Sequence, residues 1–238
     1  MLSRHSKTRL VLALLLGLVA GPTLRACATE EPPTAAEIVR RMLEAQSGLA
    51  DFTATVTLET KVAGIPLPTV TGRLYSKRPN KVKVQIGGMS LLPRHPFLFP
   101  DPLEFTTGKY ALTLAGHEIL GQDVTWIVDV VPSDPQAERL QMRFWISEAS
   151  WLIVQADMSL PKAGRTRLRA RYVKGAAEHA WVPAELSGEG GLLLFDLLPA
   201  LGLGPLLASL DLAEKIVFQA TLSGLQVNTG LSDSVFSP

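Results

Sequence analysis

The segment Val70–Ile86, VTGRLYSKRPNKVKVQI, consists of two stretches in which polar and apolar residues alternate, separated by a short polar turn. Alternation with a period of two is the pattern of a strand that buries one face, and it covers Val70–Ser76 and Lys81–Ile86. The turn Lys77–Asn80 contains proline and asparagine, which favour tight turns. The segment therefore predicts two antiparallel strands that are neighbours in a sheet.

The residues before this hairpin predict one helix followed by another strand. Thr34–Glu37 has the sequence of a capping box, in which threonine and glutamate satisfy the free N–H groups at the start of a helix. Apolar residues then recur at helical spacing, which predicts an amphipathic helix over residues 35–48. From Asp51 to Glu59 the period changes to two and β-branched residues dominate, so a half-buried strand follows the helix.

The residues after the hairpin contain many more short strand-like stretches separated by turns. We predict strands at Tyr110–Leu114, His117–Leu120, Thr125–Val131, Leu140–Ile146, Leu152–Ser159, Arg165–Val173, Trp181–Ser187 and Lys215–Gln226. This order of elements predicts a mainly β protein of the α+β class, with an antiparallel sheet that is curved or closed.

Two segments, 87–105 and 190–212, are too apolar for ordinary surface loops. Apolar stretches of this kind are typical of binding or membrane-contact sites. Three interpretations of 190–212 stay open: a mobile lid or membrane-touching loop, a buried plug helix, and a transmembrane span. Pro199 and Pro205 interrupt such a span and strand-like sequence resumes after it, which counts against the third interpretation.

The N-terminal residues 1–28 have the features of a secretory signal peptide, because basic residues precede an apolar run, Leu10–Ala20, that is too short to span a bilayer comfortably. Residues 29–238 are then expected to form a single exported domain. Cys27 is the only cysteine, and two fates are open to it. Cleavage at Ala26-Cys27-Ala28 would release a soluble periplasmic protein, whereas a lipobox would attach a lipid to Cys27. Arg25 fits a lipobox poorly, which favours the soluble protein.

The charged residues exclude some classes of function. With 23 basic and 22 acidic side chains, the chain has no excess charge for binding nucleic acid. His95, His117 and His179 are scattered without the spacing of metal ligands. The acidic residues that could pair as acid and base share no motif: Asp129, Asp134, Asp157 and Glu185. We therefore expect no catalysis, no metal and no cofactor.

Three short motifs follow the predicted helix in order. Gly72–Asn80 reads G-x-L-x-x-K-R-P-N, Phe144–Glu148 reads FWISE with WLIV three residues later, and Val227–Phe236 reads VNTGLSDSVF. In this order they resemble the LolA and LolB group of lipoprotein-localisation factors and the related outer-membrane lipoprotein-sorting proteins. The matches extend over most of residues 35–238, although Ser147 stands where that group usually has aspartate.

The resemblance implies an unclosed β-barrel of about eleven antiparallel strands with helical caps. It also implies that an apolar concave face receives acyl chains without catalysis. In LolA-type carriers the arginine of the KRPN turn bonds backbone carbonyls of the lid and releases them when lipid binds, and Arg78 is the matching residue here. The alternative is that Arg78 is a solvated turn residue.

The composition also favours a cavity for an apolar ligand, because 47% apolar residues exceed what a single core needs. The tryptophans and several apolar residues of segment 190–212 are the candidates to line it, the alternative being ordinary core side chains. The candidates are Trp126, Trp145, Trp151, Trp181, Leu193, Phe195 and Leu198.

These inferences predict a cell-envelope carrier or acceptor that binds acyl chains of a lipid or lipoprotein and passes them on. Its expected partners are those acyl chains and an inner-membrane exporter or an outer-membrane acceptor, with transient membrane contact. Soluble LolA-type members carry cargo, whereas LolB-type members are lipid-anchored acceptors, so the fate of Cys27 decides between the two roles. The alternative function is a periplasmic RseB-like sensor of lipid or envelope stress that regulates a partner protein.

Overall fold

The computed structural model describes residues 31–91, 102–134, 141–160, 164–190 and 216–237. The predicted signal peptide with Cys27, and all of the apolar segment 190–212 except Gly190, lie outside these residues. The described residues form α1 (Ala35–Ala45), β1 (Asp51–Val62), β2 (Ile65–Pro66), β3 (Val70–Lys77), β4 (Lys81–Ile86), β5 (Met89–Leu91), a 3-10 helix (Pro102–Thr106), β6 (Tyr110–Leu120), β7 (Asp123–Pro132), β8 (Gln141–Ser147), β9 (Ile153–Leu160), β10 (Gly164–Lys174), β11 (Trp181–Glu189), β12 (Ile216–Val227) and a second 3-10 helix (Asp233–Phe236).

The strands form one antiparallel sheet that is not closed into a barrel. Eleven strands follow in the order β5-β4-β3-β1-β12-β11-β10-β9-β8-β7-β6, and β2 pairs with β1 beside this path. Strand β12 returns to pair with β1, so the last strand of the described chain lies in the middle of the sheet. The predicted unclosed sheet of about eleven strands and the predicted β3–β4 hairpin are confirmed.

Helix α1 begins where the sequence predicts and ends earlier. Thr34 is the N-cap, and its hydroxyl accepts a hydrogen bond from the Glu37 N–H at 3.2 Å. The helix ends at Ala45, because Gly48 is bound into the loop before β11: its N–H donates to the His179 carbonyl at 3.2 Å. Along the described residues, no helix combines the length and the apolar character that a membrane span requires.

Helix α1 packs on one face of the sheet, which we call the inner face. Its buried residues Ile38, Val39 and Met42 belong to the main apolar cluster, together with side chains of β1 and of β7 to β12. A second cluster, built on β1, β3, β4, β11 and β12, adjoins the first through Val56. Burying each of the three helix side chains contributes about 1.5–3 kcal/mol. Apolar contact with the inner face is therefore the main interaction that holds α1 on the sheet.

The opposite, outer face carries a row of charged side chains that crosses the sheet, here called the outer charge row. Antiparallel pairing places one residue from each of seven neighbouring strands in this row, in the order Asp129, Arg143, Asp157, Arg167, Glu189, Val217 and Lys61. Opposite charges alternate along it except at Val217. Opposite charges on directly paired residues stabilise a sheet by about 0.2–1 kcal/mol each. The two faces of the sheet therefore differ sharply in polarity.

The C-terminal motif VNTGLSDSVF packs on the outer face of β1, β3 and β4. The buried carboxylate of Asp51 accepts hydrogen bonds from the backbone N–H groups of Thr229, Gly230 and Leu231 at 2.8–3.2 Å. Asn228 has a φ of 56°, in the left-handed region that asparagine tolerates, where the chain leaves β12. This motif therefore fixes the tail to the first strand of the sheet.

The first apolar segment, 87–105, contains two described elements rather than one loop. It includes β5 and most of the first 3-10 helix. Phe105 of that helix is buried in the main cluster, with its ring centroid 5.3 Å from that of Phe144 and 6.0 Å from that of Tyr110. The apolar character of this end of the segment is thus explained by packing in the core.

Candidate functional site

On the inner face, apolar side chains follow strand β7 from the main cluster to the end of the β6–β7 hairpin, and His117 of β6, whose Nε2 lies 3.6 Å from Glu148 Oε2, lies beside them. Within β7, Val128 and Val130 are buried in the main cluster, which also contains side chains of α1. At the end of the hairpin, Ile119 and Val124 are paired directly opposite each other and are 73% and 37% exposed. The apolar surface therefore continues from the core to solvent at this end, which we call the open end of the inner face.

Trp126 lies between the core and the open end. In the sheet register it stands between His117 of β6 and Ile146 of β8, and it packs half-buried against the main cluster. The His117 ring lies over it, with the ring centroids 4.2 Å apart and the planes at 30°. The indole Nε1 of Trp126 is buried and has no hydrogen-bond partner among the described residues.

Trp151 lies in the connection between β8 and β9, and it also packs against the main cluster. Its φ is 57°, and its backbone N–H donates to the Ser147 carbonyl at 2.8 Å. The Arg41 guanidinium of α1 lies 4.6 Å from the Trp151 ring centroid, in the geometry of a cation–π contact. Trp151 therefore connects the helix to the sheet.

Trp145 occupies the outer face instead. In β8 it alternates with Phe144 and Ile146, which are both in the inner-face cluster. Its indole N–H donates to the Glu118 carboxylate. The structure thus brings Trp126 and Trp151 to the inner face and places Trp145 on the other side of the sheet. Trp181 lies elsewhere, at a cavity of about 50 Å³ beside the β3–β4 turn.

Leu193, Phe195 and Leu198, the other predicted lining residues, lie outside the described residues.

Arg78 is fixed at the end of helix α1. Its Nη1 donates to the carbonyl oxygen of Gln46, the C-cap of the helix, at 2.7 Å, and its backbone N–H donates to the Ala50 carbonyl at 2.9 Å. A guanidinium at this position also interacts favourably with the negative end of the helix dipole. Arg78 therefore bonds a backbone carbonyl, as the resemblance implies for the latch, and the carbonyl belongs to α1. Its role as a latch stays a prediction.

Three of the carboxylates considered as acids or bases are bound to arginines on the outer face. Asp129 pairs with Arg143 at 2.6 Å, and Glu185 pairs with Arg171. Burial raises the pKa of the Asp157 carboxyl, but hydrogen bonds from Arg167 and Arg165 outweigh burial and hold its pKa below the ordinary value. A hydrogen bond from Arg171 likewise lowers the pKa of the Glu185 carboxyl. Carboxyl groups whose pKa is held low by arginines are poorly suited to proton transfer. Asp134, the fourth carboxylate considered as an acid or base, is not a member of any of these arginine pairs.

Tyr172 is a further titratable group with a shifted pKa, and its side chain is half-buried. Burial raises the pKa of its phenol, and the hydroxyl donates to the Ile153 carbonyl at 3.0 Å. Its proton is therefore held in a structural hydrogen bond.

A cavity of about 480 Å³ lies on the outer face, between the 63–69 loop and strands β10 to β12. Arg167, Arg169, Glu189, Lys61 and Glu59 line it together with Val217, which is 53% exposed. Its walls carry both signs of charge, so it differs in character from the apolar inner face.

Sequence comparisons with models of protein families and with curated proteins give no match. Comparison with solved structures, in contrast, gives matches. A LolA superfamily protein from Nitrosomonas europaea gives a TM-score of 0.59 at 14% identity, over 87% of this chain and 99% of that one. A putative outer membrane lipoprotein-sorting protein domain from Vibrio parahaemolyticus gives a TM-score of 0.58 at 13% identity, over 85% of this chain and 96% of that one. A DUF1329 family protein from Desulfovibrio piger gives a TM-score of 0.56 at 15% identity, over 85% of this chain and 95% of that one.

The observed structure aligns with these three structures over nearly their full length. At such low sequence identity, the likeness shows the fold. The chain has the fold of the LolA superfamily, as its motifs predict.

Proposed function

We propose that this chain is an exported cell-envelope protein that binds acyl chains of a lipid or lipoprotein against its inner face and passes them on. The observation that carries the proposal is the open end of the inner face. There the apolar surface runs from the core past Trp126 to Ile119 and Val124, which remain exposed to solvent. Exposed apolar surface continuous with a core is typical of a ligand-binding site.

The outer face is unsuited to such a ligand. The outer charge row and the cavity beside it would leave charged groups desolvated under an acyl chain, which costs free energy. The difference between the faces supports binding on the inner face alone.

The free energies of the competing contacts are compatible with binding at the inner face. Helix α1 is held there by three buried side chains, which together contribute about 5–9 kcal/mol. An acyl chain contributes about 0.8 kcal/mol per buried methylene, so a chain of about fifteen methylenes supplies about 12 kcal/mol. A bound chain can therefore lie beside α1, or replace part of its contact with the sheet.

The proposed role is non-catalytic, and no cofactor is part of it. The arginine-paired carboxylates of the outer face support this part of the proposal, because none of them faces the inner surface where the ligand binds. The proposed site of action is the periplasm, where the partners are an exporter of the inner membrane and an acceptor at the outer membrane. The fold likeness to a putative lipoprotein-sorting domain supports this setting.

The test uses the full chain, produced by export and purified without detergent. Native mass spectrometry identifies any co-purified lipid, and a fluorescent acyl probe measures affinity. Replacing both Ile119 and Val124 by serine removes apolar contact at the open end and is expected to weaken probe binding by about tenfold. Transfer of a fluorescent lipid between vesicles then reports whether the bound chain is passed on.

The matched control is Val217→Ser, which also removes an exposed valine but lies on the outer face. Its probe affinity is expected to equal that of the unchanged protein. Protein that carries no lipid and binds no acyl probe would contradict the proposal, as would equal weakening by both sets of substitutions.

A further inference from the structure

The Trp126 indole is the starting point of this inference. Among the described residues, Trp126 Nε1 is the one buried side-chain nitrogen or oxygen atom that has no hydrogen-bond partner. Buried polar groups are nearly always paired, because an unpaired donor loses its bond to water and gains nothing in return. A phenylalanine at this position would pack against the main cluster without that cost. The indole N–H is therefore a donor that an acceptor from outside the described fold would satisfy.

On the outer face, by contrast, the fold supplies a hydrogen-bond acceptor to the indole N–H of Trp145. Its N–H is bonded to the Glu118 carboxylate, which reaches across β7 from strand β6 on the outer face. Trp126 is only one strand away, yet its register neighbours are the stacked His117 ring and the apolar side chain of Ile146. The Glu148 carboxylate lies 3.6 Å from His117 Nε2, and it does not bond the Trp126 N–H either.

The position of Trp126 indicates what the acceptor is. The side chain lies where the buried cluster meets the exposed pair Ile119 and Val124. A ligand whose hydrocarbon chain lies on this apolar surface brings one strong acceptor to such a boundary: the carbonyl oxygen that links the chain to its polar head. Tryptophan suits this place, because its ring is apolar and its N–H needs a polar partner.

We propose that Trp126 Nε1 donates a hydrogen bond to the carbonyl oxygen of an acyl ester or acyl amide, so that the site selects acylated ligands over plain alkyl chains. The inference rests on the proposed function and adds the ligand's linkage chemistry and orientation. The carbonyl end of the chain lies at the open end of the inner face, beside Trp126, and the hydrocarbon lies against the apolar cluster.

The test compares two lipids that differ only in the linkage. Dipalmitoyl phosphatidylglycerol carries ester carbonyls, and its dihexadecyl ether analogue carries none. The full chain is expected to bind the ester about tenfold more tightly, the size of one hydrogen bond to an otherwise unpaired donor. Trp126→Phe keeps an aromatic ring and removes the N–H, so its affinities for the two lipids are expected to be equal. A third arm, a synthetic N-palmitoylated lipopeptide, distinguishes a lipoprotein amide from a phospholipid ester as the source of the carbonyl.

Trp145→Phe is the matched control, because its N–H is already bonded on the outer face, and it should keep the ester preference. A second measurement does not depend on any variant remaining folded. The chain has four tryptophans, and the indole N–H resonance of Trp126 is expected to move downfield with the ester and to stay in place with the ether.

Equal binding of ester and ether by the unchanged protein, with an unmoved resonance, would overturn this inference and leave the proposed function standing. Failure to bind either lipid would overturn the proposed function itself.

Discussion

Asp233 is an exposed carboxylate that fastens the C-terminal tail to the outer face. Its Oδ1 lies 2.7 Å from Lys77 Nζ and its Oδ2 lies 2.8 Å from Lys81 Nζ. Hydrogen bonds from Lys77 and Lys81 lower the pKa of Asp233 from 3.8 to about 2. Lys83, on the same face of β4, donates to the Val235 carbonyl at 2.8 Å. Three lysines of one hairpin therefore hold the tail.

The lowered pKa predicts a loss of stability in acid. Because the folded carboxyl ionises at lower pH than the unfolded one, its stabilising effect is complete above pH 3.8 and is lost as the pH falls to about 2. We expect the urea midpoint of the unchanged protein to fall across this window, and Asp233→Asn to show a smaller fall. Asp123→Asn, which changes an exposed carboxylate at the start of β7, is the control, and its urea midpoint should fall with pH as that of the unchanged protein does.

Glu37 has its own pKa lowered to about 2 by hydrogen bonds from Arg40 and Arg41, so some acid sensitivity should remain in Asp233→Asn. An identical pH profile for Asp233→Asn and the unchanged protein would count against a role of Asp233 in holding the tail.

At the scale of elements, helix α1 and the β3–β4 turn are joined by Arg78. The guanidinium bonds the Gln46 carbonyl at the helix end, and the helix covers the inner face through Ile38, Val39 and Met42. A change at the β3–β4 turn can therefore alter the position of α1, which lies over the candidate ligand surface.

Arg78→Ala is expected to loosen the end of the helix. Loss of a charged donor to Gln46 should speed amide hydrogen exchange over residues 46–50 by about tenfold, because hydrogen bonds from charged groups contribute about 1.5–3 kcal/mol. If Arg78 acts as a latch, the acyl probe should also enter and leave faster. Arg73→Ala, at an exposed arginine of β3, removes the same charge and should leave both rates unchanged. Unchanged exchange in Arg78→Ala would show that the bond does not hold the helix.

Much of the element order could be predicted because alternation and helical spacing record which side chains are buried. The predicted strands at Tyr110–Leu114 and His117–Leu120 form one strand, β6, since a bulge between Leu114 and Gly116 shifts the register and interrupts the alternation without ending the strand. The predicted helix is too long because its last residues are fixed by a contact with His179, which is distant in sequence.

The candidate site was predictable in part. Trp126 alternates in phase with Val128 and Val130, so its inner-face position follows from the sequence. Trp145 alternates in phase with Arg143, a signal that could have placed it on the outer face. The unpaired state of the Trp126 N–H could not have been found this way, because it depends on which groups of neighbouring strands lie within reach.

At the scale of the whole molecule, the question is whether the chain moves freely or is tethered through Cys27. We expect it to be soluble, because Arg25 disfavours lipidation. Fractionation of an exporting host should find the unchanged protein and Cys27→Ser alike in the periplasmic fraction. Arg25→Ala creates the small residue that a lipobox requires and is the positive control, which should move to the membrane fraction only when Cys27 is present. A membrane-bound unchanged protein released by Cys27→Ser would identify a tethered acceptor instead.

The outer charge row has a consequence for the long-range electrostatics of the sheet. Its three carboxylates and three cations cancel, in the order Asp129, Arg143, Asp157, Arg167, Glu189 and Lys61. Because neighbouring charges of opposite sign cancel, this row contributes little to the long-range attraction of the sheet for an anionic surface. On the proposed function, this row would not steer the sheet toward a membrane from a distance, and recognition of lipid would begin at contact, on the face that gives up its water most easily.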